Sequence, residues 1–127
     1  MKKILFRLPA LLIAGFIWFL SSLSTLPLPK GILGWDKLQH LLAFWALGIA
    51  AGFWVYPAFW RRRPVFSLLL TALVVSGYGA IDEFHQYFVP NRDCNVWDWI
   101  ADTLGAFLGA LTVMPLIKKT KLGEINT

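Results

Sequence analysis

At 127 residues the chain is long enough for one domain, but 57% hydrophobic residues, 16% aromatics and a mean hydropathy of +0.61 are not the composition of a soluble one. A formal charge of +5 does not make it a nucleic-acid binder, because the 12 Lys and Arg sit in short clusters between apolar runs rather than along one surface. One cysteine, Cys94, excludes an intrachain disulfide and a cysteine-based zinc cluster, and it reads as a loop thiol.

Lys2, Lys3 and Arg7 precede an uncharged run from Leu8 to Leu20. Ser22-Leu23-Ser24 offers small residues where a signal peptidase could cut. The stretch from Ile4 to Leu23 nevertheless spans ~30 Å as a helix, enough to cross a hydrocarbon core, and a retained first helix over about 4–23 is the favoured reading. Pro27, Pro29, Gly31 and Gly34 then predict an irregular loop, with Leu26, Leu28 and Trp35 dipping into the interface.

A second helix is expected over about 37–59, opened by Asp36 and Gln39 as a D-x-x-Q capping box. His40 is the only ionisable group in the apolar run from Leu38 to Phe59, and Gly48-x-x-x-Gly52 suits the close approach of a neighbouring helix. Arg61-Arg62-Arg63-Pro64 divides it from a third helix over about 65–89, on which Ala72, Ser76, Gly79 and Ala80 lead up to Asp82. Pro90 to Asp93 reads as a turn, and Asn95 with Asp98 as an N-x-x-D cap of a fourth helix over about 96–117. On that helix Ala101, Gly105 and Gly109 form a small-residue face beside Asp98 and Asp102. The tail from Lys118 to Thr127 is basic, with Glu124 its only acid.

The expected fold is therefore all-α, a polytopic membrane bundle of four transmembrane helices forming a single domain over 1–127. Nine basic residues (Lys2, Lys3, Arg7, Arg61, Arg62, Arg63, Lys118, Lys119 and Lys121) fall at one set of helix ends, and three (Lys30, Lys37 and Arg92) at the other. The positive-inside rule then places both termini in the cytoplasm and the turn at 90–95 on the extracytoplasmic side of the membrane.

Asp36, His40, Asp82, Glu83, His85, Asp93, Asp98 and Asp102 gather on that outer side. Asp82, His85 and Gln86 fall at i, i+3 and i+4, and Asp98 and Asp102 at i and i+4, so each helix carries a polar stripe. An acid or imidazole at the centre of a membrane helix costs on the order of 2 to 3 kcal/mol. Such groups persist when paired, hydrated or useful. Asp36 and Asp98 are explained by helix N-termini. His40, Asp82 and Asp102, about 6 to 11 Å further in at the helical rise, are not. They read either as hydrogen-bonded glue, with Arg92 and Lys37 neutralising carboxylates, or as a site. As a site, imidazole and carboxylates could ligate magnesium, manganese or zinc, or act as general acid and base. No H-E-x-x-H or similar spacing selects the metal, and no Ser or Cys sits in a nucleophile context. Lys37 and His85 are expected to point to the interface.

The motifs D-K-x-x-H at Asp36, Lys37 and His40, D-E-x-x-Q-x-F-x-P-x-R at Asp82, Glu83, Gln86, Phe88, Pro90 and Arg92, and D-x-x-x-D-x-x-G at Asp98, Asp102 and Gly105 together resemble the VanZ-like family of small bacterial membrane proteins. The likeness covers nearly the whole chain. In that family the position of Asp102 is commonly Asn and that of Asn91 commonly Gly. The resemblance implies a four-helix envelope protein, and the family's namesake is associated with resistance to the glycopeptide teicoplanin. The expected role is a polar pocket, formed from Asp36, His40, Asp82, Glu83, Gln86, Arg92, Asp98 and Asp102, that binds or modifies a lipid-linked or peptidoglycan-related envelope component. The alternative is a noncatalytic membrane scaffold whose acids are structural. A transporter is disfavoured, since four helices leave little room for alternating access.

Overall fold

The structure is a computed structural model that describes residues 2–25 and 34–119. The expected interfacial dip of Leu26 and Leu28, Lys30, and the tail from residue 120 onward with Glu124 lie outside the described residues. Among the described residues six α-helices follow in order: α1 (Lys2–Leu5), α2 (Leu8–Ser22), α3 (Trp35–Gly52), α4 (Pro57–Arg62), α5 (Pro64–Gln86) and α6 (Val96–Lys119).

The apolar runs do form helices, but proline moves their ends. The first expected helix is divided at Phe6 and Arg7, immediately before Pro9 in the opening turn of α2, where its missing N–H costs nothing. The second stops at Gly52 rather than continuing to residue 59. Pro57 holds Tyr56 extended (φ −57°, ψ 136°), so the chain turns and restarts as the short α4. The third ends at Gln86 and passes through successive turns, with Phe88 N–H donating to the His85 carbonyl and Val89 N–H to that of Gln86. Asn91 then takes φ 62°, a left-handed conformation that an Asn tolerates and a Gly adopts freely.

Among the described residues two helices, α5 and α6, are long and apolar enough to cross a membrane by length and composition; α2 is a shorter apolar helix. Large apolar side chains such as Leu12, Phe16, Leu73, Val74 and Leu104 are exposed along the outer faces, which suits a lipid surround better than water.

The most extensive pairing is between α3 and α6. Their small-residue faces meet each other. A Cβ added at Gly48 would lie 2.7 Å from the Ala106 carbonyl, and one at Gly109 would lie 2.5 Å from the Trp45 carbonyl, so backbone touches backbone. Around that seam Ile17, Phe44, Leu47, Val75 and Ala106 form one apolar cluster, and Trp60, Leu68, Val113 and Ile117 a second toward the opposite end. The helices alternate in direction, so the C-terminal ends of α2 and α5 and the N-terminal ends of α3 and α6 come together. Arg7, Arg61 to Arg63, Lys118 and Lys119 lie toward the other end.

Candidate functional site

The polar end begins with helix starts and stops. Gly34, at φ 81°, precedes α3 and no side chain caps it. The expected D-x-x-Q box is thus replaced: Asp36 sits inside the first turn, exposed, with its Oδ2 2.5 Å from Lys37 Nζ. Gly can enter a helix from the left-handed region, which leaves the neighbouring carboxylate for an ion pair. Lys37 also places Nζ 2.6 Å from Asp98 Oδ1, an ion pair without hydrogen-bond alignment, so Lys37 folds over the site instead of pointing away.

At the start of α6, Asn95 Oδ1 accepts the Trp97 N–H at 2.9 Å, as a capping residue should. The return arm comes from a different helix. Glu83 Oε2 on α5 accepts the Asn95 N–H at 3.1 Å, which frees Asp98 for Lys37.

One turn into α3, His40 Nδ1 stands 2.7 Å from Asp102 Oδ1 on α6. Asp102 is fully buried, and with it ionised the imidazole donates from Nδ1 and keeps the Nε2 lone pair. His40 also lies 3.8 Å from Glu83 (Nδ1 to Oε1) and 3.8 Å from Asp98 (Nε2 to Oδ2). These are too long for hydrogen bonds. Histidine and three carboxylates thus converge between α3, α5 and α6.

Asp82 heads a second group facing α2. Its Oδ2 accepts Ser21 Oγ–H at 2.7 Å, while Gln86 Nε2 stands 3.4 Å from both Asp82 Oδ2 and Ser21 Oγ. His85, on the same sequence stripe, turns away and stacks on Trp18 with ring centroids 3.9 Å apart. Arg92 neutralises no carboxylate among the bonds it makes: Nε and Nη2 donate to the carbonyls of Leu23 and Leu20, each at 2.9 Å. It therefore latches the C-terminal end of α2, where the Leu20 carbonyl also accepts the Leu23 N–H at 3.2 Å.

Between the two groups lies a cavity of about 300 Å³. Its walls are apolar (Ile17, Leu20, Trp35, Ala43, Phe44), and Ser21, Gln39, His40, Asp82, Gln86 and Arg92 supply its polar lining. Of the eight expected site residues, the structure brings His40, Glu83, Asp98 and Asp102 into one cluster and Asp82 beside Gln86. It puts Arg92 on the cavity wall and leaves Asp36 at the rim, tied through Lys37. Sequence reasoning overlooked Ser21; its one signal is a hydroxyl in the last turn of an otherwise apolar helix.

The chemistry available is proton transfer and ligation. His40 is oriented by Asp102 as a general base would be, with carboxylates on both sides. Among the described residues no hydroxyl or thiol is hydrogen-bonded to it: Cys94 is exposed in the turn, and Ser21 donates to Asp82 instead. A family model described as VanZ/LLP1 matches residues 4–118, in agreement with the motif resemblance. No curated protein and no solved structure matches the chain.

Proposed function

Because the chain belongs to the VanZ/LLP1 family, we propose that it is a multi-pass protein of the bacterial cytoplasmic membrane whose polar end binds or modifies a lipid-linked or peptidoglycan-related envelope component. In this reading α1 with α2, α3 with α4, α5 and α6 make four passes of one domain. The nine-to-three split of basic residues supports cytoplasmic termini and a polar end outside. A teicoplanin-resistance phenotype is the corresponding cellular readout.

The observation that carries the proposal is the cavity itself. An apolar-walled space of about 300 Å³ with an imidazole, a carboxylate, an amide and a guanidinium on its lining suits an amphiphile. The lipid part would lie against Ile17, Leu20 and Phe44, and the polar head would reach His40, Asp82, Gln86 and Arg92. Asp82, Gln86 and Ser21 also join α2 to α5, which favours the scaffold reading as the rival.

Asp82→Asn separates the two. The amide oxygen still accepts from Ser21, so the bundle keeps its contact while the charge is lost. Full membrane levels with loss of the glycopeptide phenotype support the site; an undiminished phenotype leaves only the scaffold. Cys94, exposed in the turn before α6, reports the side. Its labelling in intact cells by a membrane-impermeant thiol reagent is expected, and labelling only after permeabilisation of the cytoplasmic membrane would remove the envelope reading.

A further inference from the structure

The cluster around His40 has a feature that the amphiphile cavity does not use. Each of three side chains has one polar atom fixed by an outer partner and a second atom left over. His40 Nδ1 is held by Asp102, leaving Nε2. Glu83 Oε2 is held by the Asn95 N–H, leaving Oε1, which is buried with no hydrogen-bond partner among the described residues, on a residue only 3% exposed. Asp98 Oδ1 is held by Lys37, leaving Oδ2 3.8 Å from His40 Nε2. One ligand atom from each of the three residues lies within 4.8 Å of the others.

We propose that His40, Glu83 and Asp98 form the protein half of a divalent transition-metal site. Outer partners that fix the ring orientation and the unused carboxylate oxygens are the usual support of metal ligands. Neighbouring ligands of a tetrahedral ion with bonds of about 2.1 Å stand about 3.4 Å apart, so the three close on a cation by shifts of up to about 0.8 Å each. One imidazole with two carboxylates suits Mn²⁺ or Zn²⁺ better than Ca²⁺, and three protein ligands leave positions for water or an anionic ligand. Charge points the same way. Asp82, Glu83, Asp98 and Asp102 are all buried, and Lys37 is the one fixed cation making an ion pair with any of them among the described residues. A buried carboxylate without a partner is costly, and a divalent ion resolves that cost at the point where the orphaned Glu83 oxygen is aimed.

This inference is independent of the envelope component, since the ion is read without any lipid. The full chain, purified in detergent and stripped with a chelator, is titrated with Mn²⁺ and followed by electron paramagnetic resonance, with Zn²⁺ as competitor. One ion per chain, displaced by Zn²⁺, is expected. Glu83→Gln and, should that variant not fold, Asp98→Asn should each weaken binding more than about 10-fold. Asp102→Ala, which removes the positioning partner of His40 rather than a ligand, should weaken it about 10- to 100-fold. Asp93→Asn, exposed in the turn, should leave it unchanged. Absence of stoichiometric binding, or binding that Glu83→Gln and Asp98→Asn leave at wild-type affinity, overturns the site; failure of the glycopeptide phenotype alone does not.

Discussion

The two ends of the bundle treat polarity in opposite ways. At the basic end, most polar groups are satisfied close by in sequence: Trp60 Nε1 donates to the Gly52 carbonyl at 2.9 Å, Ser67 to that of Arg63 and Thr71 to that of Ser67, while Trp54 Nε1 reaches the Arg7 carbonyl 47 residues away. The rest is apolar packing around Trp60, Val113 and Ile117, none of them more than 1% exposed. At the acidic end, contacts reach across 61 residues from Ser21 to Asp82 and 62 from His40 to Asp102. Even so, oxygens of Asp82, Glu83 and Asp102 remain without hydrogen-bond partners among the described residues. A network built only to hold helices together would close on itself, as the basic end does. The acidic end holds the helices and keeps unspent acceptors, which is the arrangement expected of a place that receives something.

The sharpest way to break this contrast is Trp60→Ala. The indole is fully buried against Leu68, Ala110 and Val113, so truncation leaves a cavity, removes one of the two donors to the Gly52 carbonyl and costs about 3–5 kcal/mol. Denaturant unfolding in detergent should show that loss, while Cys94 labelling and metal affinity of the remaining folded protein stay at wild-type values. A polar end that fails together with Trp60 would mean the ends are one cooperative unit rather than a scaffold and a site.

Arg92 is the next largest. Its two bonds to the last carbonyls of α2 are charge-assisted, and Arg92→Met should cost about 2–4 kcal/mol. The expected signature is local: faster hydrogen exchange at Leu20 to Leu23 and loss of the Ser21 contact to Asp82, with the α3–α6 seam protected. Uniform loss of protection would assign Arg92 to the global core instead.

Much of this was legible in the chain and some of it could not have been. Apolar runs and the small-residue faces at Gly48, Gly52, Gly105 and Gly109 announce helices that pack closely, because both are local properties of the sequence. Helix ends were misplaced where a proline acts on the residue before it, as at Tyr56, or where a left-handed Gly34 replaced a side-chain cap. The i, i+4 spacing of Asp82 with Gln86 reads out a shared face. It cannot say that His85 will stack on Trp18, or that Arg92 will serve carbonyls of α2 rather than an acid, since those partners are chosen by the packing of helices distant in sequence.

The smallest effect tests the junction where the structural and the unspent halves of the acidic end meet. Asn95 caps α6 through Oδ1, and its backbone N–H engages Glu83 Oε2. Asn95→Ala removes the side-chain cap but not the backbone donor, so it should cost about 1 kcal/mol and leave Glu83 in place. Asn95→Asp keeps a capping oxygen and adds favourable charge at the helix N-terminus, but sets another anion beside Glu83. Its stability should therefore fall at or below that of wild type despite the better cap. A cation held by Glu83 would offset that repulsion, so added Mn²⁺ should stabilise Asn95→Asp more than Asn95→Ala. Equal shifts in unfolding temperature for the two variants would mean that Glu83 serves the cap alone.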